Sequence, residues 1–254
     1  MKTLVFACTA GALLASAVPA YAQITGTDEF GSYTGRAGHV QYESPQNAAF
    51  ELRFGPYRPK VDEEFSNATP FDDTFGSSKR YMLGIEVDWQ ALRIPMFGTL
   101  GPGLGWGYTH FGADALLADG SGRSAQGTSL AIMPMYLVGV LRVDVLARET
   151  PVPLVPYAKA GFGYALWWAG DGDGTSRDDN GLIGRGHSYG FQYALGGMLL
   201  LDAFDRTSAV EVDNNTGVNN TYFFLEWYNS FLGDGSDQMH VGSNTWMLGL
   251  ALEI

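Results

Sequence analysis

Beyond its first 22 residues this chain has no thiol: the single cysteine, Cys8, lies in an apolar leader. A disulfide framework and a cysteine-based metal site are therefore excluded for the rest of the chain. Basic residues are also scarce, 15 Lys and Arg against 27 Asp and Glu, for a formal net charge of −12. Removing Lys2 with the leader leaves 14 against 27, or −13. A surface of that sign repels phosphate, so nucleic acid is not expected as a partner. No apolar run of about 18 residues follows the leader, which argues against a transmembrane helix. Leu130 to Val140 comes nearest, but it is short, contains Pro134 and runs into Arg142 and Asp144.

The leader has the three parts of an export signal. Lys2 supplies a positive start, Leu4 to Val18 an apolar stretch, and Ala20-Tyr21-Ala22 a small-x-small cleavage site. This predicts a signal peptide over residues 1–22 and a mature start at Gln23. Phe6 is too bulky for lipoprotein processing at Cys8. Residues 23–47 are polar and weakly patterned, and read as a flexible N-terminal segment or a short piece at the mouth of the domain that follows, 48–254.

Within that domain the last nine residues say most. Trp246, Leu248, Leu250, Leu252 and Ile254 fall on one face of an extended strand, and Met247, Gly249, Ala251 and Glu253 on the other. A half-buried soluble strand alternates in the same way; the pattern gains meaning by recurring behind an export signal. Eight segments read as strands: Phe50–Tyr57, Arg80–Ala91, Thr99–Phe111, Ser129–Ala147, Leu154–Trp168, Ser188–Leu201, Asn220–Phe231 and Ser243–Ile254. A tilted strand needs roughly 9 to 11 residues to cross hydrocarbon. Between them, long polar links (Arg58–Lys79, Gly112–Thr128, Ala169–His187) alternate with short ones (Leu92–Gly98, Arg148–Pro153). Long extracellular loops and short periplasmic turns are the habit of an all-β, eight-stranded, antiparallel, up-and-down transmembrane barrel. The link Asp202–Asn219 is long where a short one belongs, and Asp202 to Val210 reads as a short helix at the periplasmic rim. Tyr81, Trp89, Trp106, Tyr108, Trp167, Trp168, Trp227, Tyr228 and Trp246 near strand ends suit aromatic girdles at the two interfaces.

The fourth strand does not resolve by pattern. Both of its faces are apolar from Leu130 to Val140, while Arg142 and Asp144 require even positions to face inward. Either a bulge flips the phase, or the lumen is apolar at Ile132, Tyr136, Val138 and Val140.

Three segments carry a resemblance. Phe50-Glu51-Leu52-Arg53-Phe54-Gly55-Pro56-Tyr57-Arg58-Pro59, Pro153-Leu154-Val155-Pro156-Tyr157-Ala158-Lys159 and Gly217-Val218-Asn219-Asn220-Thr221-Tyr222 are similar to stretches of an uncharacterised outer-membrane barrel family found in myxobacteria. The similarity extends over most of the chain beyond about residue 45. It implies location and architecture, and no chemistry. The strand count also resembles that of the OmpA membrane domain and the OmpW group, at fold level only. Such barrels usually end on an aromatic residue, and this chain departs from them in ending on Ile254.

Candidate chemistry is sparse. Glu51, Arg53, Glu86, Asp88, Lys159, Glu226 and Glu253, with Arg142 and Asp144 if the phase of the fourth strand allows, would line a narrow interior with room for side chains and little else. Charges enclosed there must pair. One consequence is a gated ion path; the plainer one is a salt-bridged plug that stiffens the barrel, and that is the expectation here. Inward glycines at 101, 103, 105, 107, 161 and 163 would make space for aromatic neighbours or let backbone approach, and they belong to no phosphate loop. The acidic loop Asp171–Gly181 offers oxygens for Ca²⁺ but misses the EF-hand register at Thr175 and Ser176, which favours a solvated loop over a metal site. His39, His110, His187 and His240 are scattered and form no His-Glu-x-x-His motif. His110, His187 and His240 fall at predicted extracellular ends with Asp114, Ser188 and Asp237 nearby in sequence, so a His/Ser/Asp surface site is geometrically conceivable there, but no nucleophile motif supports it.

The expectation is thus a monomeric outer-membrane barrel, neither enzyme nor cofactor protein. Its partners would be outer-membrane lipid, the barrel-assembly machinery and a surface ligand reached through extracellular loops. The alternative is an OmpW-like passage for small hydrophobic molecules, motivated by the two-sided apolar stretch of the fourth strand.

Overall fold

The computed structural model describes residues 47–77, 80–117, 122–171, 174–176, 183–204, 216–234 and 238–254. Among these residues no helix is long and apolar enough to cross a membrane, which says nothing of strands. Eight long strands make up the wall: β1 (Ala48–Tyr57), β2 (Arg80–Trp89), β3 (Gly98–Leu116), β4 (Arg123–Arg142), β5 (Leu154–Asp171), β6 (Arg185–Leu200), β7 (Asn220–Ser230) and β8 (Asn244–Glu253). Each pairs antiparallel with its neighbours in sequence, and β8 pairs with β1, so the expected eight-stranded up-and-down barrel closes. Two short strands, Leu92–Ile94 and Gly174–Thr175, add to β3 and β5.

The stagger of the wall follows from its pairing. From Phe50 the partners run through Val87, Leu104, Leu137, Phe162 and Phe191. Phe231 N–H then donates to the Phe191 carbonyl at 2.9 Å, and Lys60 N–H donates to the Gly242 carbonyl at 3.0 Å. The circuit returns at Lys60, ten residues beyond Phe50. With about 3.3 Å rise per residue and about 4.8 Å between strands, ten residues over eight strands means a tilt of about 40°. At that tilt the ten-residue strands β1, β2 and β8 climb about 25 Å.

Side chains sort by parity around the whole wall. Outside stand Leu83, Val87, Leu104, Leu137 and Phe162, between half and three-quarters exposed, with Tyr81, Trp89 and Trp246. Inside stand Glu51, Arg53, Glu86, Asp88, Lys159, Glu226 and Glu253, all buried. Parity also corrects the girdle. Trp167 and Trp168 are adjacent, as are Trp227 and Tyr228, so one of each pair has to turn away from the outer wall. Tyr228 is the inward member, 2% exposed and donating its hydroxyl to Gln192 Oε1 at 3.0 Å. Trp167 packs against the interior cluster that contains Ile132 and Ala165.

β4 settles the ambiguity of the fourth strand. Its ladder with β5 runs from Thr128–Asp171 to Arg142–Tyr157 without a shift, and with β3 the register changes only between Asp114 and Leu116. No bulge intervenes, even positions face inward throughout, and Ile132, Tyr136, Val138 and Val140 are buried in the lumen. The strand stops at Arg142, sooner than the expected Ala147, because Val145–Glu149 turns into the short helix α2.

The links differ from the sequence reading in one systematic way. Most of Gly112–Thr128 is strand, because β3 and β4 continue as a hairpin: β3 last pairs β2 at Tyr108, then runs on to Leu116 with β4 alone. The first long link folds back on the barrel mouth through helix α1 (Pro70–Phe75). Asp62 caps that helix, its carboxylate accepting Phe71 N–H at 2.7 Å and Asp72 N–H at 3.2 Å. Arg123 of the hairpin donates to the Thr74 and Asp73 carbonyls at 2.8 and 3.1 Å. Phe71 is pressed inward against Phe111, ring centroids 5.1 Å apart. At the opposite end Leu201–Ala203 makes one 3₁₀ turn at the start of the segment expected to be helical from Asp202 to Val210; residues 205–215 lie outside the described ones. Burial raises the Asp202 carboxyl above its ordinary range, against the pull of the Thr221 N–H it accepts at 3.1 Å; nearby Glu253 also raises it.

Candidate functional site

The barrel holds its buried charged residues in one layer, in the half nearer Ala48 and Glu253. Glu51 and Arg53 come from β1, Glu86 and Asp88 from β2, Arg142 from β4, Lys159 from β5, Glu226 from β7 and Glu253 from β8. Alternation brings them to one side of the wall, and closure brings them together. Lys159 Nζ lies 2.6 Å from Glu51 and 2.6 Å from Glu86. Arg142 reaches Glu51 at 3.1 Å, Asp88 at 2.5 Å and Glu253 at 3.3 Å. Arg53 pairs with Glu86 and with Glu226. Every carboxylate of the layer thus has a cationic partner.

Three cations face five carboxylates, and neutral donors stabilise the excess. Tyr136 OH donates to Glu86 at 2.6 Å, Tyr157 OH to Glu226 at 2.8 Å and Tyr222 OH to Glu253 at 3.0 Å. Gln90 and Asn220 amides donate to Glu253 at 2.6 and 3.0 Å. Neither charge nor motif singles out these five in the sequence, yet Tyr136, Tyr157 and Tyr222 share the parity of the charges on their own strands, which is the signal that finds them. Asp144 stands apart from the layer. It lies past the end of β4, where it meets Arg93 at 2.5 Å on the terminus-side rim.

Glycine makes room for the layer. A Cβ on Gly105 would sit 2.0 Å from Cζ of Tyr136, so only a bare backbone on β3 lets the Tyr136 ring lie flat against the wall and reach Glu86. Gly161 illustrates the other use, close backbone approach: its Cβ would stand 2.1 Å from the Leu137 carbonyl oxygen.

Oxygens of Glu51, Glu86 and Asp88 converge within 4.8 Å of one another, a spacing that suits a metal ion. The Lys159 ammonium already sits between Glu51 and Glu86, and Arg142 holds Asp88, so the chain's own cations fill this ground. On the far side of the layer the lumen turns apolar. Met82, Phe111, Ile132, Leu232, Val241 and Met247 pack there, with Phe71 of α1 above them. Glu51, Glu86, Glu226, Phe111, Ile132 and Phe224 expose 0% of their surface, so water reaches neither half of the axis at these positions.

The histidines are not assembled. His187 points outward and stacks on Tyr164, centroids 5.6 Å apart. Ser188, its neighbour on β6, points inward and donates to the Met239 carbonyl at 2.6 Å. His240 lies 3.9 Å from Asp234 at the rim. His110 faces out from β3. His39 and Asp237 lie outside the described residues, as do 172–173 and 177–181 of the acidic loop; in that loop Gly174 and Thr175 pair with Asp171 and Gly170.

No protein-family model matches the chain, and no curated protein matches its sequence. Solved structures resemble it distantly. Ail, the attachment invasion locus protein of Yersinia pestis, is 11% identical over 82% of this chain and 97% of its own, with a TM-score of 0.41. The N-terminal β-barrel domain of Pseudomonas aeruginosa OprF is 13% identical over 82% and 98%, with a TM-score of 0.42. A major outer membrane protein from Thermus thermophilus is 14% identical over 82% and 99%, with a TM-score of 0.31. Likeness at these scores bears neither on the ion layer nor on what the chain does.

Proposed function

We propose that the chain is an outer-membrane β-barrel that acts through the surface at its loop-rich end, with the lumen as a closed support rather than a passage. The observation that carries this reading is the filling of the axis: an ion-paired layer in one half and packed apolar side chains in the other, both sealed from water. The outer wall supports lipid as the surrounding solvent. A belt of exposed Leu, Val, Phe and Trp running round the barrel far exceeds the apolar patch a soluble protein tolerates, and about 25 Å is the height of the hydrocarbon band such barrels present. The resemblance of Phe50–Pro59 and Gly217–Tyr222 to myxobacterial outer-membrane barrels agrees with that location. With the longer links extracellular, the β3–β4 hairpin and the α1 cap face the outside, held together by Arg123. They form an ordered platform for a surface ligand, and the chain works as a monomer inserted by the barrel-assembly machinery.

The rival reading is a passage for small apolar molecules along the inward face of β4. Ile132 is 0% exposed, and Val138 and Val140 are each 4%, so opening such a path means unpacking both the far-end core around Ile132 and the Tyr136–Val138–Val140 cluster beside the ion pairs. Reconstitution into liposomes tests both at once. Ion conductance and uptake of a small hydrophobic solute should both stay at the level of protein-free vesicles. Robust, protein-dependent flux of either would overturn the closed lumen.

A further inference from the structure

Alternation along a strand repeats every two residues. Sliding β8 by two residues along β1 therefore leaves Trp246, Leu248, Leu250 and Leu252 on the outer wall, and the belt alone does not separate the slipped barrel from the native one. The seam between the first and last strands also joins the residues most distant in sequence, so local chain connectivity gives it least guidance. Its register must be set from inside. In the native register Phe50 faces Leu252 and Leu52 faces Leu250.

We infer that Glu253 is the register lock of this seam. Its carboxylate, 6% exposed, is tied on the β7 side by Asn220 and Tyr222, each at 3.0 Å, and across the seam by Gln90, just past β2, at 2.6 Å. Arg142 reaches it from across the lumen at 3.3 Å. A two-residue slide moves one side of the seam by about 6.6 Å relative to the other, more than a hydrogen bond can span, and strips Glu253 of its Gln90 partner. The same slide parts Arg53 of β1 from Glu226 of β7, an ion pair that straddles β8. The wall is tight at the seam as well. A Cβ at Gly249 would stand 2.0 Å from the Leu52 carbonyl oxygen, and a slide of two brings Met247 or Ala251 to that spot. Glu253 is thus a positioning residue: it selects one among even-numbered staggers that the lipid-facing pattern allows equally.

Cysteine cross-linking reads this register directly, since Cys8 is the chain's only cysteine and introduced pairs meet no competing thiol in the barrel. The native pair is Leu52→Cys with Leu250→Cys; the slipped pairs combine Leu52→Cys with Leu248→Cys or with Leu252→Cys. In the wild-type background, refolded into lipid vesicles, only the native pair should oxidise. In Glu253→Ala the ratio of slipped to native cross-link should rise about tenfold or more, the equivalent of losing a hydrogen bond to a charged group. Glu253→Gln keeps an acceptor for Gln90 and should restore most of the native preference, which a general loss of stability would not do. If Glu253→Ala does not fold, Gln90→Ala takes its place, removing only the donor across the seam, and slipped cross-link should again appear. Native-only cross-linking in whichever of the two folds would overturn the proposal.

Discussion

Replacing Lys159 by methionine should destabilise the folded barrel by about 3–5 kcal/mol, the usual consequence of removing one partner from a buried ionic network. Methionine keeps the unbranched side chain out to Cε and lacks the terminal ammonium, so the change chiefly removes the charge. Lys159 is the one cation bonded to both Glu51 and Glu86, at 2.6 Å each. Its loss takes the layer from three cations to two against the same five carboxylates, in a place that water does not reach. Arg53 still serves Glu86 and Arg142 still serves Glu51, so both carboxylates keep a partner, but the excess negative charge grows. Urea unfolding in detergent micelles measures the effect. The double variant Lys159→Met with Glu51→Gln should recover part of the loss, because it lowers the excess of negative charge by one. A cost below about 1 kcal/mol for Lys159→Met, the size expected of an exposed ion pair, would mean that the layer is hydrated rather than sealed.

On the outer wall, Leu137→Arg should cost about 2–4 kcal/mol in a bilayer, the penalty for a cation facing lipid near the midplane of a barrel. Leu137 is 59% exposed and sits on the middle strand of the row Leu104–Leu137–Phe162. The matched control is Gln126→Arg on the projecting β3–β4 hairpin, where the new side chain meets water and the change should stay within about 0.5 kcal/mol. Folding both variants into vesicles and comparing unfolding midpoints gives the contrast. Equal, small effects at the two positions would mean that lipid does not surround the wall.

The two variants probe the two faces that differ most in how readily their sequence shows them. The outer wall is legible because lipid imposes one rule at every second position. Leu83 to Val87 and Trp246 to Leu252 obey it without exception, and strand number and order follow from it. The inner face obeys no single rule, since a lumen side chain can be charged, apolar or absent as long as its partners fit. Hence β4 is ambiguous by pattern. Val138 and Val140 face inward between Tyr136 and Arg142, an apolar patch within the charged layer itself, level with Asp88 and Lys159, and only pairing with β3 and β5 reveals that. The tyrosine donors are hard to see because phenol counts as apolar in an alternation, whereas what matters is the hydroxyl at its end. Periodicity extends the fourth strand past Arg142, to Ala147, because the turn into α2 depends on packing beyond the strand. The β3–β4 hairpin hides in a Gly- and Ser-rich stretch with loop composition, where strand pairing outweighs weak local propensity.

Fold and proposed function alike depend on which side of the wall meets acyl chains. Spin labels introduced singly at Leu248 and Leu250 decide this, read against oxygen, which concentrates in the bilayer, and against a water-soluble paramagnetic quencher. Strong relaxation by oxygen and almost none by the aqueous reagent is the result expected at both positions. Labels relaxed by the aqueous reagent and shielded from oxygen would contradict it, and the barrel would then have to be a soluble one.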